Sequence, residues 1–97
     1  MKSIKEIRTI IRRHQDVLAE RYGVRVVGLF GSYVRKEQRR RSDIDLLAEI
    51  LRPISLLELV GAEIYLSEVL GTSVDLVPKR NVREELRDAI FNEAIAI

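Results

Sequence analysis

The sequence predicts an α+β fold in which helices and strands alternate as αβαβαβα. Three observations carry that prediction. Two Ser-x-x-Glu patterns, Ser3 to Glu6 and Ser55 to Glu58, precede apolar residues at helical spacing, as capping boxes do. Three short runs of aliphatic and β-branched residues fall between the helical segments, and glycine or proline bounds them. The 97 residues contain no internal repeat, low-complexity tract or long linker, so 1–97 reads as a single domain.

The first helix starts after Ser3, carries Ile4, Ile7, Ile10, Ile11, Val17 and Leu18 on one side, and stops at Gly23, a natural C-cap. A strand is expected from about Arg25 to Phe30, followed by a Gly31-Ser32 turn and a short helix that leads into a basic loop. The second strand runs from Asp43 to about Ile50 and Pro53 ends that segment. A helix capped by Ser55 places Leu56, Leu59, Val60, Ile64 and Leu70 at helical spacing, and Gly71 closes it. The third strand covers Ser73 to Val77 and ends at Pro78. Asn81 with Glu84 reads as the start of a last helix whose Val82, Leu86, Ile90 and Ala94 would face the sheet.

Chemistry concentrates where strands end. Gly31 allows close approach of backbone to a ligand, and Ser32, if it opens a short helix, offers N–H groups and a hydroxyl to an anion. Asp43 and Asp45 are two apart on a strand, so their carboxylates project from one face and can meet one cation. Ile44, Leu46, Ala48 and Ile50 take the opposite face, as expected of a strand with an apolar side. Asp75 interrupts another apolar strand, and a carboxylate there needs a partner. A metal held by Asp43 and Asp45 would be one, an arginine another. Magnesium suits oxygen ligands and completes its shell with water and substrate phosphate. Without cysteine, disulfides and thiolate sites are excluded and carboxylates remain the metal donors of note.

The segments Leu29-Phe30-Gly31-Ser32-Tyr33-Val34-Arg35-Lys36 and Ser42-Asp43-Ile44-Asp45-Leu46 resemble the signature of the minimal nucleotidyltransferases, small members of the polymerase beta superfamily: Gly-Ser, about ten residues, then Asp-x-Asp. The likeness extends to Tyr22-Gly23, to Val74-Asp75-Leu76-Val77 and to the segment from Arg87 to Ala94. It implies a palm-like nucleotidyltransferase fold with a small mixed sheet, on one edge of which the Gly-Ser turn and the three aspartates converge. It also implies two magnesium ions on Asp43, Asp45 and Asp75, with Asp75 accepting the acceptor's proton. Gly31, Ser32, Arg35 and Ser42 become the nucleotide-phosphate candidates. Many family members are antitoxins encoded beside a helical HEPN ribonuclease, which they inactivate by moving AMP from ATP to a tyrosine. The expected function is therefore ATP- and magnesium-dependent adenylylation of a HEPN partner. One departure stands out: the family usually has glycine where this chain has Lys36, a position where positive φ costs lysine roughly 1 kcal/mol.

Composition sets limits. A net charge of +2 is too small to mark a general nucleic-acid binder, although Arg35, Lys36, Arg39, Arg40 and Arg41 cluster beside the proposed phosphate site. No stretch approaches the roughly 20 apolar residues of a membrane span, and Met1-Lys2-Ser3 leads into an amphipathic pattern, so a cytoplasmic location is expected. At this length the palm occupies nearly all of the chain, and the acceptor is expected to be a separate molecule. Two alternatives belong to other classes of function: an antitoxin that neutralises its partner by contact alone, and a nucleotidyltransferase acting on a small molecule. A basic nucleic-acid binder would show affinity that falls steeply with salt and needs no magnesium. His14 is expected mid-helix without a chemical role, and Tyr22, Tyr33 and Tyr65 as packing or rim residues.

Overall fold

In the computed structural model, which describes residues 2–36 and 43–97, both Ser-x-x-Glu boxes close. Ser3 Oγ accepts from Glu6 N–H at 3.1 Å while Glu6 Oε1 accepts from Ser3 N–H, opening α1, Ile4–Tyr22. Ser55 and Glu58 do the same for α2, Leu56–Leu70. Gly23 and Gly71 end these helices in the left-handed conformation. The strands are β1 (Val24–Phe30), β2 (Ile44–Ile50), β3 (Val74–Pro78) and β4 (Ile95–Ala96), with α3 (Glu84–Glu93) before the last. Arg39, Arg40, Arg41 and Ser42 lie outside the described residues.

The sheet order is β3-β2-β1-β4, with β1 antiparallel to β2 and β4 and β3 parallel to β2. It is the small mixed sheet that the family resemblance implied. Ile7, Ile11 and Leu18 of α1 and Ala62, Leu66 and Leu70 of α2 form one core with Val24, Val26, Leu29, Ile44, Leu46 and Leu76 of the strands. His14 sits in this helix-to-helix contact, 2.6 Å from the Tyr65 hydroxyl. The outer side of α2 leaves Leu56, Leu57, Val60 and Ile64 exposed.

A register shift between Val26 and Gly28 determines what lies opposite that core. The extra residue changes the parity of β1, so that Leu29 joins Val24 and Val26 in the core and Phe30 turns the other way. β4 reaches only Gly28 and Leu29, and Gln15 serves β1 beyond it. Its amide donates to Val26 C=O at 2.8 Å and accepts from Val26 N–H at 3.2 Å, in place of a neighbouring strand. At the other edge, α2 caps β3. Val74 N–H donates to Ser67 Oγ at 3.0 Å, Leu76 N–H donates to Glu63 Oε2 at 2.8 Å, and Pro78 has no N–H. These contacts block edge pairing and hold the strand that carries Asp75.

The last helix departs from its expected start. Asn81 belongs to a 3-10 turn, Lys79–Asn81, and α3 begins at Glu84 with Arg83 as an N-cap that makes no side-chain bond. Val82 explains this. It is extended at φ −70°, ψ 127° and buried, so insertion of its side chain wins over a cap at Asn81. Leu86 is exposed, Ile90 and Ala94 are half-buried, and no α3 residue is fully buried. The expected face toward the sheet is thus a partial one. Nor does the helix run on: Ile95 pairs with Leu29, because a short strand there covers part of the β1 edge.

Candidate active site

β2 assembles the site. Asp45, its second residue, is in register with Phe30 of β1 on one side and with Asp75 of β3 on the other. Its neighbours Ile44 and Leu46 are in the core, so Asp45 projects from the opposite face, where it is half-buried. Asp43 is exposed just before the strand, and Asp75 is exposed on β3. Among the described residues Asp75 is in no ion pair, and the arginine partner that the sequence left open is not found there.

The Gly-Ser turn is pressed against this carboxylate. Gly31 has φ +80°, and a Cβ added there would strike Asp45 Oδ2 and come within 2.9 Å of Cγ and 3.2 Å of Cβ. Only glycine combines that backbone with that contact. Its carbonyl accepts from the N–H groups of Val34 and Arg35, both at 3.1 Å, which winds Gly31–Tyr33 into a single 3-10 turn. Tyr33 is buried and fixes the turn to the core, while Ser32 is half-buried in the same turn and does not line the cleft. Arg35 follows, and its Nη1 donates to Glu93 Oε1 at 3.0 Å.

Lys36 has φ +58°, the one positive φ outside glycine among the described residues. The turn needs the backbone that the family's glycine supplies, and lysine adopts it under strain. Lys36→Gly is expected to raise stability by about 0.5–1 kcal/mol, the relief of strain being partly offset by the freer unfolded chain. Urea denaturation of the two proteins checks this.

Gly31, Arg35, Asp45 and Asp75 line a cleft of about 540 Å³ together with Leu86 and Glu93 of α3. Its volume falls within the roughly 300–1,000 Å³ typical of small-molecule sites. The pKa of Asp45 is pushed from 3.8 up to about 6, first by burial, then by the charges of Asp75 and Asp43. Arg35 opposes that push, and Glu93 adds to it. The other two predicted acidic groups therefore act on Asp45, and Glu93 joins them.

Among the described residues no group of three His, Cys, Asp or Glu side chains already has the spacing of a closed metal site. The donor chemistry nevertheless fits a hard divalent cation: oxygen donors that carry negative charge and whose repulsion a cation would relieve. Sequence reasoning gave Glu93 no role. A glutamate near the end of an amphipathic helix reads as a solvent charge, and its pairing with Arg35, 58 positions away, leaves no local signal.

Residues 11–97 match the pattern of the family described as Nucleotidyltransferase domain. The chain belongs to that family. This nucleotidyltransferase is 38% identical over 97 residues to the protein adenylyltransferase MntA of Thermococcus cleftensis, a match that covers 100% of this chain and 98% of the relative. Its fold is similar to that of a solved minimal nucleotidyltransferase, with a TM-score of 0.79, 31% identity and coverage of 99% and 97%. A solved complex of a tri-AMPylated HEPN toxin of Shewanella oneidensis with an MNT antitoxin gives a TM-score of 0.65 at 19% identity, covering 93% of this chain and 70% of that one, a likeness of fold alone. Among the described residues of this nucleotidyltransferase, no helix is long and apolar enough to cross a membrane.

Proposed function

We propose that this nucleotidyltransferase is a magnesium-dependent protein adenylyltransferase that moves AMP from ATP to a hydroxyl, a tyrosine in the favoured reading, of a HEPN-type partner, and so acts as its antitoxin. The observation that carries the proposal is the placement of Asp45 beside Asp75 with the Gly31 turn against it, on the wall of a cleft of nucleotide size. Asp43 and Asp45 would hold two magnesium ions, and Asp75 would share one of them. Bound there, the metals supply positive charge at the α-phosphate and lower the pKa of the acceptor hydroxyl. The chain's own residues do the rest. Gly31 seats the β- and γ-phosphates from the cleft wall, with Ser32 of the same turn, which does not itself line the cleft, and Ser42 as further candidates, and Arg35 faces the leaving group. The acceptor oxygen bonds to the α-phosphorus, the bond from that phosphorus to the bridging oxygen breaks, pyrophosphate leaves, and Asp75 takes the hydroxyl proton.

Kinship with proteins named protein adenylyltransferases supports the reaction class, and the fold shared with an antitoxin of a HEPN toxin supports the partner. The test is incubation with α-labelled ATP, magnesium and a HEPN protein encoded beside this chain. The partner is expected to gain label and the mass of one AMP or a multiple of it, on tyrosine. Neutralisation of the partner with its mass unchanged would replace this reading with inhibition by contact. Label on a small molecule and none on protein would move the enzyme to another substrate class.

A further inference from the structure

Glu93 is the acidic group of the cleft that the transfer chemistry above does not use, and the chain goes to some length to place it. It is the last residue of α3. The next residue returns its N–H to Ile90 C=O, and Ile95 and Ala96 then pair with Leu29 and Gly28, just before the Gly31 turn. β4 therefore delivers Glu93 to the segment from which Arg35 projects. The two side chains meet at 3.0 Å, with Arg35 half exposed and Glu93 only 21% exposed.

A carboxylate here is an awkward choice for architecture alone. It adds negative charge beside Asp45, already pressed by Asp75 and Asp43, in the cleft to which the proposed function assigns a polyanionic substrate. An ion pair that only anchored α3 could be made outside the cleft. What a carboxylate does well in this place is imitate a phosphate: both offer a guanidinium anionic oxygens at similar spacing.

We propose that Glu93 is a stand-in for the substrate's phosphates: it holds the Arg35 guanidinium before nucleotide arrives and gives it up to a phosphate oxygen on binding, so that Glu93 sets the affinity for nucleoside triphosphate. The proposal rests on the assignment of Arg35 as a phosphate-binding residue. Two consequences follow. Arg35 is kept oriented toward the cleft, which limits the ordering needed when substrate binds. An anion that takes the Nη1 donor must displace Glu93 from it, so the apparent affinity is reduced by the fraction of molecules in which the pair is closed. Glu93 is in this sense a positioning residue, one that acts on substrate through Arg35.

The experiment is calorimetric titration of the full chain with ATP and magnesium, for the wild type, Glu93→Gln, Arg35→Gln and the double variant. Glu93→Gln keeps the shape of the side chain and removes its charge. It is expected to bind about three- to fivefold more tightly, the range set by a partly exposed ion pair. On the Arg35→Gln background the same change should give no gain. A role in stability alone would lower the melting temperature and leave the dissociation constant where it was. Unchanged or weaker binding in Glu93→Gln overturns the proposal, as does a gain that survives loss of Arg35, which would reduce the effect to bulk charge. Weaker binding would mark Glu93 as a metal ligand. Binding is measured without an acceptor, so the two readings separate. Absence of transfer to a HEPN partner with the binding pattern intact defeats the proposed function and leaves Glu93 in its role; transfer with flat binding does the reverse.

Discussion

Asp45→Asn is expected to give a protein that is more stable than the wild type and without transferase activity. Asp45 is the group on which the electrostatics of the site converge: burial, Asp75, Asp43 and Glu93 all disfavour its charge, and its pKa is pushed up to about 6. The sign of the effect on stability follows from proton binding. The unfolded chain titrates near 3.8 and the folded chain near 6, so between those values the folded state holds more protons, and stability falls as pH rises through the window. Above pH 6 the ionised carboxylate destabilises the fold in full. Taken whole, the shift would correspond to about 3 kcal/mol. Solvent screening of a half-buried group reduces it to about 1–2 kcal/mol, or roughly 5–10 °C in melting temperature for a domain of this size. Asparagine keeps the shape and drops the charge. The variant should therefore match the wild type at pH 3.5 and exceed it at pH 7.5, by calorimetric scans at the two pH values. Labelled transfer to the partner should fall by about a thousandfold or more, the scale of losing transition-state charge stabilisation. Magnesium provides the cross-check. A cation that binds only the folded state raises the melting temperature, so 10-fold increments of magnesium should stabilise the wild type at pH 7.5 and barely affect the variant. A variant that is less stable at pH 7.5, or that still transfers AMP at the wild-type rate, is incompatible with Asp45 as the charged centre of the site.

Much of this arrangement could be read from the chain because it is local. Ser3 with Glu6 and Ser55 with Glu58 are contacts three residues apart, and they form as the pattern says. The alternation from Asp43 to Ala48 placed Ile44, Leu46 and Ala48 in the core and Asp45 on the other face without knowledge of neighbouring strands. The features that escaped are those fixed by distant residues. Val26 to Phe30 looks like one continuous apolar run, and nothing in it marks the shift that turns Phe30 toward Asp45; that shift is set by pairing with β2 and by the amide of Gln15. Ile95 and Ala96 form a strand only because β1 has an uncovered edge. Asn81 carries the right side chain for a cap and lost the position to the burial of Val82. Glu93 acquires meaning only beside Arg35. The aspartates could be nominated by spacing, whereas the charge balance among them needed the fold.

Gly31→Ala is expected to be the most damaging single methyl in the protein, and it isolates the contact between turn and carboxylate on which the site depends. Two penalties combine. At φ +80° an alanine backbone is strained by about 1–2 kcal/mol. The new Cβ also meets Asp45 at Oδ2, Cγ and Cβ, so rotation of the carboxylate is not enough and either the turn or β2 must shift, at about 1–2 kcal/mol more. A loss of about 2–4 kcal/mol in urea denaturation is the expected total. Activity should fall by about a hundredfold or more even under conditions where the variant remains folded, because a displacement near 1 Å at reacting groups has that effect. The two penalties can be separated. Asp45→Ala removes the atoms beyond Cβ that the methyl strikes and leaves φ at residue 31 unchanged. On that background Gly31→Ala should cost about half of what it costs the wild type, and the shortfall is the coupling between the two positions. If the cost is the same in both backgrounds, the turn and Asp45 are not in contact in solution. The Gly31 turn and the carboxylate centre would then have to be treated as separate features instead of two sides of one site.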